Sequence, residues 1–426
     1  MAHVIPFQSS FSLINKAWIK IPANWSILQI KRIVSRIDYG ISESTNEEGS
    51  FPVLKMGNIQ DGELKLTNLE FVDEVSEDLF LENGDLVYNR TNSPDQVGKA
   101  AIFRGNKSDR ITFASYLVRL RASHRINPHF LNHVLNCDGF LSYARKHAIP
   151  SVQQSNLNST RYCQMVIPLP PESEQKRIVA YLDASCAAID AAVTAKRRQL
   201  EVLDANLKSI SHRVVTCGLD DSVALKESAL EWLGRIPFHW VVRRIKDIVE
   251  LKSGDAITSE SISPIGEYPV FGGNGLRGYT TSFTHSGYYA LIGRQGALCG
   301  NINYAMGKFW ASEHAVVASP LRKIDTFWFG ELLRVMNLNQ YSNAAAQPGL
   351  AVERIKFLRI PVPPYEEQIR ISSWLKNSIV KNEELVSILR KQIATLTAYR
   401  KSLIHECVTG QRRISEDDVK RVTERV

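Results

Sequence analysis

The chain has 426 residues and a mass of 48.0 kDa, which is long enough for two or more domains with cores of their own. Charged residues make up 23% of the sequence and hydrophobic residues 44%, as in ordinary soluble globular proteins. The formal net charge of +8 and the isoelectric point near 9.1 favour a polyanionic partner.

The sequence lacks the usual marks of export, membrane insertion and zinc binding. Its first residues, Met-Ala-His-Val-Ile-Pro, do not form a basic-then-apolar signal, and no apolar run is expected to approach the length of a membrane span. The cysteines stand singly, without a Cys-x-x-Cys pair. We therefore expect a cytoplasmic protein with reduced cysteines, no bound metal and no membrane partner.

In chain order, the first recurring feature is a short Ile-Pro-x-x-Trp sequence. It occurs at 21–25 and again at 236–240, an offset of 215 residues. The similarity continues through 30–34 and 245–249. Two parts of the chain are therefore expected to begin in the same way.

Each of these parts reads as a mixed α/β module. Segments 85–90 and 288–294 are predicted strands that finish on Arg90 and Arg294, and 99–103 and 315–318 are further β-like runs. Helical patterns follow at 128–143 and 326–336. The sequence thus predicts two α/β modules of ordinary domain size.

A longer and gapless repeat begins shortly before each module ends. Positions 154–216 match positions 347–409 at a constant offset of 193 residues, with 23 identities over 63 aligned positions. Both copies contain Ile-Pro-x-Pro-Pro followed two residues later by Glu-Gln, at 167–175 and 360–368. A repeat of this length without a gap indicates one rigid element used twice.

The repeated element is predicted to be a long helix. Prolines and acidic residues suit its first turn, and Gly218 and Gly410 are placed to end the two copies. Apolar residues recur in a heptad pattern, which predicts coiled-coil helices of roughly 65–70 Å, each with the other copy as its nearest candidate partner. Two helices buried separately in larger domains are the alternative. The seam residues are Leu182, Val193, Leu200, Leu203, Ile210, Leu375, Ile379, Val386, Ile393, Leu396 and Leu403.

The chain is therefore expected to have an internal pseudo-two-fold repeat. Its predicted parts are a first module at 1–166, a helix at 167–218, a second module at 219–359, a helix at 360–410 and a tail at 411–426.

Motifs for catalysis are weak. Val-Pro-Pro-Tyr at 362–365 lacks the amide or carboxylate that grips a target amine, and its twin at 169–172 marks it as a helix entrance. The glycine-rich segment 271–275 has no downstream acid to make it a cofactor loop. Phosphate-loop and zinc-protease motifs are absent from the sequence. The sequence therefore gives little support for the hypothesis that this chain is an enzyme in its own right.

The modules do contain side chains suited to reading DNA bases. Arginine and lysine pair with guanine edges, and asparagine and glutamine pair with adenine edges. A role as ordinary solvated loop residues is an equal alternative for each of them. The candidates are Lys55, Asn58, Arg90, Asn92 and Lys99 in the first module, and Asn274, Arg277, Arg294, Gln295 and Asn301 in the second.

Two further candidates, Gln154 and Gln347, lie on the gapless repeat just ahead of the helices. Contact with the sugar-phosphate backbone and capping of the junction both fit a glutamine repeated at this point.

Two variable α/β modules alternating with two repeated helices, each introduced by Pro-Pro-x-x-Glu-Gln, resemble the specificity subunit of type I restriction-modification systems. The segments that carry this resemblance most specifically are 170–178, 363–371 and the Ile-Pro-x-x-Trp sequence at 236–240. The resemblance covers nearly the whole chain. It implies that each module is a target-recognition domain reading one half of a split DNA site. Because the two modules differ, that site should be asymmetric.

The resemblance also implies a role for the coiled coil and a set of partners. The helices would form an antiparallel coiled coil that sets the length of the unread spacer, and they would dock two adenine-N6 methyltransferase subunits. Two ATP-driven restriction and translocase subunits would complete the restriction form. S-adenosylmethionine, ATP and magnesium are expected only in those partner subunits, and no cofactor is expected in this chain.

Two other functions remain to be distinguished from this one. A helical scaffold with two protein- or carbohydrate-binding modules would show no salt-dependent DNA affinity. A fused modification enzyme would require a methyl-donor pocket that the sequence does not reveal.

Overall fold

A computed structural model describes residues 21–230, 232–296, 298–342 and 349–424. The first module is built from many short strands and three helices. Its strands are β1 Ser26–Gln29, β2 Val34–Tyr39, β3 Phe51–Leu54, β4 Ile59–Gln60, β5 Glu63–Leu64, β6 Glu70–Val72, β7 Leu86–Asn89, β8 Thr91–Asn92, β9 Ala100–Ile102, β10 Thr112–Phe113, β11 Leu117–Ala122, β12 Ile149–Pro150, β13 Ser155–Asn156 and β14 Val166–Leu169. Its helices are α1 Pro128–Asn136, α2 Asp138–Lys146 and α3 Ser159–Gln164.

The long helix α4 Glu172–Cys217 follows, and then the second module. The strands of that module are β15 Leu225–Leu230, β16 Leu233–Pro237, β17 Val241–Arg244, β18 Val249–Ser253, β19 Tyr268–Gly272, β20 Gly275–Thr280, β21 His285–Gly293, β22 Ile302–Ala311, β23 Ala315–Pro320 and β24 Arg359–Val362. Its helices are α5 Thr326–Val335 and α6 Val352–Lys356, and the chain ends with the long helix α7 Tyr365–Val408 and the short helix α8 Glu416–Thr423.

The contacts divide the chain into two compact units. Unit 1 is Met1–Lys196 with Lys391–Val426, and unit 2 is Arg197–Arg390. Each unit therefore holds one module together with a part of α4 and a part of α7. Both long helices are continuous across the boundary.

The first module has a six-stranded sheet in the order β2-β11-β7-β9-β5-β4, covered on one face by α1 and α2. The pleat of β7 explains this layering. Leu86 and Tyr88 point into the core that contains the helices, whereas Val87 points into a smaller cluster on the opposite face. A strand that is buried on both faces has a run of consecutive apolar residues, and this agrees with the strand predicted at 85–90.

The second module repeats this plan with longer strands. Its sheet has the order β18-β23-β21-β22-β19-β20. Ala290 and Ile292 on β21 face the core that includes Trp328 of α5, and Leu291 faces a separate cluster. The prediction of two mixed α/β modules is confirmed. The prediction of one helical segment at 128–143 is wrong in one respect. The backbone at Cys137 is extended and divides the segment into two helices.

The repeated segment begins as a strand, which corrects the helix starts predicted at 167 and 360. Val166–Leu169 pairs with Ser26–Gln29, and Arg359–Val362 pairs with Val241–Arg244, both antiparallel. Prolines lack the N–H that a helix interior needs, so the Ile-Pro-x-Pro-Pro sequence favours an extended entrance. The helices begin only after these prolines.

The entrance tryptophan and the Glu-Gln pair meet at the start of each long helix. Trp25 Nε1 donates to Glu174 Oε2 at 2.9 Å, and Trp240 Nε1 donates to Glu367 Oε2 at 3.2 Å. Both indole rings are buried. The two most characteristic repeated sequences, far apart in the chain, are thus bonded to each other.

The glutamine that follows joins the module's own helix to the same point. Gln175 Oε1 accepts from the backbone N of Asn127 at 2.7 Å, and its Nε2 donates to Pro170 O at 3.0 Å. Gln368 makes the matching bonds, to Asp325 N at 2.9 Å and Pro363 O at 3.0 Å. Asn127 and Asp325 are the N-caps of α1 and α5. We call each set of bonds a joint.

The glycine that ends each long helix packs on a joint. Gly218 has φ +82°, and a Cβ there would lie 2.9 Å from Glu367 Oε1. Gly410 has φ +72°, and a Cβ there would lie 2.4 Å from Pro22 Cδ. The positive φ and the lack of space both require glycine, in agreement with its predicted role as the helix stop.

The two long helices pack against each other in antiparallel fashion within each unit. In unit 1, Lys196 Nζ donates to Gln392 Oε1 at 2.7 Å, and Arg400 Nε lies 3.0 Å from Asp190 Oδ1. In unit 2, Val214 of α4 shares a core with Leu375 of α7. The pairing agrees with the heptad pattern, and its antiparallel direction agrees with what the resemblance implies.

The predicted seam residues differ in how deeply they are buried. The buried ones are Leu182, Val193, Leu375 and Leu403, and the half-buried ones are Leu200, Leu203, Ile379, Val386, Ile393 and Leu396. Ile210 is 39% exposed, which corrects its assignment to the seam. Leu207, Ser211 and Val214 lie deeper on this part of α4, so the seam shifts by one residue and leaves Ile210 at its flank.

One part of α4 is more apolar than the sequence expectation allowed. An 18-residue window of this helix reaches a mean hydropathy of 1.5, long enough and apolar enough to cross a membrane by composition alone. Leu182, Ile189 and Val193 on this part of the helix lie in the core of unit 1. Asp190 on the same stretch is paired with Arg400. This apolar face is therefore packed against protein.

We predict that Glu174→Ala destabilises the protein by about 2 kcal/mol, because it leaves a buried indole N–H without its charged acceptor. Glu174 is 3% exposed and also pairs with Arg413 at 2.9 Å. Glu172→Ala is the control, since the side chain of Glu172 is 69% exposed, and it should change stability by less than about 0.5 kcal/mol. Urea-induced unfolding measures both; equal effects would contradict the role of the joint.

Candidate nucleic-acid interface

Arg90 directly follows β7 and is fixed by the backbone on both sides. Its N donates to Tyr116 O at 3.0 Å, and its O accepts from Leu157 N at 2.7 Å. The guanidinium carbon lies 5.2 Å from the ring centroid of Tyr39, close enough for a cation–π contact. The arginine is held in place while its side chain stays half-exposed at the end of the strand.

Arg294 occupies the same position in the second module. Its N donates to His314 O and its O accepts from Leu350 N, both at 2.9 Å. Leu157 and Leu350 are matched positions of the gapless repeat. The side chain has a different neighbour, because Arg294 Nη1 donates to Ser253 Oγ at 3.3 Å.

The glycines after Tyr39 and Ser253 confirm the correspondence of the two sites. A Cβ on Gly40 would lie 2.1 Å from Phe113 O, and a Cβ on Gly254 would lie 2.1 Å from Ala311 O. Only glycine allows these strands to approach so closely. The two modules therefore present an arginine in the same backbone setting with different residues around it.

Two stacked phenols lie beneath the Arg90 site. The rings of Tyr88 and Tyr162 are 3.9 Å apart and nearly parallel. Tyr88 Oη donates to Leu157 O at 3.4 Å, and Tyr162 Oη donates to Gly98 O at 3.1 Å. Burial raises the pKa of both phenols well above the usual value, so they remain neutral and support the site.

The structure brings Asn92 and Gln154 to the edge next to Arg90. Asn92 lies on β8, where it pairs with Ser155 of β13, and its Oδ1 accepts from Ser93 N at 2.8 Å. Gln154 is exposed in the turn just before β13. Three of the predicted candidates therefore share one edge of the first module.

Asn58 does not belong to this surface, which corrects its prediction as a DNA contact. It is 7% exposed, its Oδ1 accepts from Lys55 N at 2.7 Å, and its Nδ2 donates to Lys65 O at 2.7 Å. An asparagine that uses both ends of its amide inside a turn is structural.

The two lysine candidates differ in their surroundings. Lys55 forms an ion pair with Glu70, and both side chains are partly exposed. Lys99 lines a cavity of about 330 Å³ together with Arg145 and Lys401. The backbone O of Lys99 also accepts from Asn89 N at 2.8 Å, which places this lysine beside the end of β7.

Three of the second-module candidates, Asn274, Gln295 and Asn301, lie close to Arg294. Asn301 Nδ2 donates to Asn274 Oδ1 at 2.9 Å, and both residues are exposed. Asn301 O accepts from Gly293 N, next to Arg294, and Gln295 pairs with Gly349. Arg277 is exposed on β20, and Gln347 lies outside the described residues.

Sequence reasoning missed the aromatic neighbours of Arg90. Tyr39, whose ring faces the guanidinium, is 43% exposed, and Tyr116, whose backbone O accepts from Arg90 N, is 49% exposed. The Tyr-Gly pair at 39–40 is a local signal for a strand held close to another, but it does not reveal that the ring would meet Arg90. The corresponding residues in the second module are Ser253 and His314.

Comparison with known proteins gives a consistent result. The family described as "Type I restriction modification DNA specificity domain" matches residues 24–202 and 237–394. The chain is 44% identical over 137 residues to the type I restriction enzyme EcoprrI specificity subunit of Escherichia coli, a match that spans 31% of this chain and 34% of that one. It is 23% identical over 434 residues to the MjaVIII specificity subunit of Methanocaldococcus jannaschii, which covers 93% of this chain and 95% of that one.

Solved structures share the fold. A chain from work on complex assembly and conformational transition of the type I R-M system has a TM-score of 0.72 at 15% identity, covering 91% of this chain and 98% of that chain. The HsdS subunit from Thermoanaerobacter tengcongensis has a TM-score of 0.56 at 15% identity, covering 92% of this chain and 98% of that chain.

We predict that Asn58→Ala lowers the free energy of unfolding by about 2 kcal/mol, because it leaves buried backbone groups of the turn without partners. Gln154→Ala is the control, since Gln154 is exposed, and it should be neutral within about 0.5 kcal/mol. Urea denaturation of both variants measures the difference. If Asn58→Ala left the free energy of unfolding unchanged, the structural role of Asn58 would be contradicted and a contact with DNA would again be possible.

Proposed function

This chain belongs to the type I restriction modification DNA specificity family, and we propose that it reads a bipartite, asymmetric DNA sequence on behalf of a restriction-modification complex. The observation that carries this proposal is the pair of arginines in matched settings. Arginine pairs in bidentate fashion with guanine in the major groove. Arg90 lies beside Tyr39, whereas Arg294 lies beside Ser253, so the two modules present different contacts.

The excess of positive charge supports the same function. A chain with a net charge of +8 is drawn to the phosphate backbone. Because a single module contacts only a few base pairs, one alone discriminates poorly among genomic sites. Two modules in one chain multiply the specificity of each.

We further propose that the paired helices α4 and α7 set the number of unread base pairs between the two half-sites. Each unit contains a part of both helices, and both helices are continuous across the unit boundary. A continuous helix resists bending far better than a loop, so it suits a spacer of fixed length.

The proposed partners are two adenine-N6 methyltransferase subunits, docked on the coiled coil, and two restriction and translocase subunits. S-adenosylmethionine would bind in the methyltransferases, and ATP and magnesium would serve the restriction subunits. In this scheme the present chain contributes sequence recognition and assembly without a reaction centre of its own. Isothermal titration of the isolated chain with S-adenosylmethionine should therefore give no binding heat.

We predict that Arg90→Ala and Arg294→Ala each weaken binding to the cognate duplex by about ten- to a hundred-fold, the range expected for one bidentate base contact. Each variant should also relax base preference in one half-site only. Fluorescence anisotropy at fixed salt measures the affinity. Arg104→Ala is the control, because its exposed guanidinium pairs with Glu63 in the same module.

Unchanged affinity in both arginine variants would remove them as base contacts. Affinity that does not fall with rising salt would instead support a scaffold that binds protein or carbohydrate.

We predict that one extra helical turn in both long helices lengthens the spacer by one or two base pairs, since about four residues add roughly 6 Å. The turns are inserted after Leu200 and after Val386, which line the same groove of unit 2. N6-methyladenine mapping in cells that express the complete complex gives the spacer. A matched insertion in the loop at 219–224, outside the helices, should leave it unchanged. Retention of the original spacer by the helix variant would contradict the proposal.

A further inference from the structure

A small β-hairpin extends the Arg90 edge of the first module. β12 and β13 pair at Ile149↔Asn156 and Pro150↔Ser155, and β13 continues the sheet onto β8. The turn is closed by Ser151 N, which donates to Gln154 O at 2.7 Å. The hairpin is therefore a formed two-stranded ribbon of eight residues, from 149 to 156.

The tip of this hairpin carries an aliphatic side chain between polar ones. Val152 is 93% exposed, so it contributes almost nothing to the protein's own core. Gln153 and Gln154 beside it are exposed as well. Single exposed valines are common, but this one stands at the far end of a ribbon that has two amide side chains next to it.

The base of the hairpin is fastened to the arginine site. Asn156 Nδ2 donates to Thr91 Oγ1 at 2.8 Å, and Leu157 N donates to Arg90 O at 2.7 Å. The ribbon and Arg90 thus form one continuous edge, with Tyr116 49% exposed beside it. A ligand that contacts Arg90 along this edge also meets the hairpin.

The chemistry of the tip matches the major groove. That groove is about 12 Å wide and admits a two-stranded β-ribbon. Glutamine pairs in bidentate fashion with adenine, and an apolar group contacts the C5-methyl of thymine. A valine with an adjacent glutamine offers both contacts that distinguish an A·T pair from the other pairs.

We propose that hairpin 149–156 enters the major groove of the first half-site, where Val152 packs on the methyl group of a thymine and Gln153 bonds to an adenine at the same or the neighbouring pair. This inference rests on the proposed function, and it assigns specificity to two residues of the first module. The first half-site, defined as the one whose recognition Arg90→Ala relaxes, accordingly contains an A·T pair.

The test is a double-mutant cycle that combines the substitution Val152→Ala in the protein with removal of a thymine methyl group from the DNA. The full-length chain is titrated with its cognate duplex, in which each thymine of the first half-site is replaced in turn by deoxyuridine. For the wild type, one replacement weakens binding about fourfold, the factor for one buried methyl-sized group. For Val152→Ala, the same replacement changes affinity by less than about 1.5-fold, because the methyl group has lost its contact.

Two further variants sharpen the result. Ile265→Ala removes another branched aliphatic side chain, 87% exposed and located in the second module, and it should keep the fourfold sensitivity of the wild type. Gln153→Ala should lower the preference for adenine over the other bases at that position or the next.

The proposal is overturned if the wild type is insensitive at every thymine, if Val152→Ala keeps the full sensitivity, or if the first half-site has no A·T pair. In these cases specific, salt-dependent binding persists, so the proposed function survives. Absence of specific binding by the wild-type chain would overturn both.

Discussion

The structure depends on a hydrogen bond between a buried tryptophan and a glutamate at the start of each long helix. An indole N–H that is removed from water cannot exchange this bond for one to solvent, so breaking it costs more than breaking a surface contact. The bond joins Trp25 to Glu174 in unit 1 and Trp240 to Glu367 in unit 2. The neighbouring glutamines tie in the N-caps of α1 and α5. Each module is thereby attached to the helix pair at a defined point.

This arrangement explains which parts of the two halves stayed alike. Residues that build the joint must keep their type, because each has a partner whose geometry leaves no alternative, as for Gly218 and Gly410. Residues beyond the joint are free to differ provided that the module still ends on the same strand and helix. The surroundings of Arg90 and Arg294 differ in this way, with Tyr39 opposite one and Ser253 opposite the other. A common support with unlike reading surfaces suits recognition of an asymmetric sequence.

The sequence predicted well those features that are encoded by repeats or by runs of residues of one type. The gapless repeat identified both long helices and the face on which they pair, because a heptad seam fixes the face that must be buried. Their antiparallel orientation was expected only from the family resemblance. The strands that end just before Arg90 and Arg294 were predictable because continuous apolar runs indicate buried strands. The joint was not foreseen, although its tryptophan, glutamate and glutamine belonged to recognised repeats, since pairing Trp25 with Glu174 requires knowledge of the fold.

The errors have local causes. Ile210 lies at the flank of the seam because neighbouring residues hold the more deeply buried positions. The Asn58 side chain is bonded to the backbone of its own turn, so it is not available to DNA. Composition could not reveal that the apolar part of α4 packs against protein. The candidates around Arg90 and Arg294 were found by residue type, but Tyr39 and Tyr116 were missed because tyrosine is as common in cores as at binding surfaces.

The most direct test of two unlike readers on a common support is to map N6-methyladenine across the genome of a host that expresses the wild-type chain with its methyltransferase partner. The account predicts a motif of two short, different blocks separated by a fixed number of unspecified bases. A continuous motif, a palindromic motif or a spacer of variable length would contradict it.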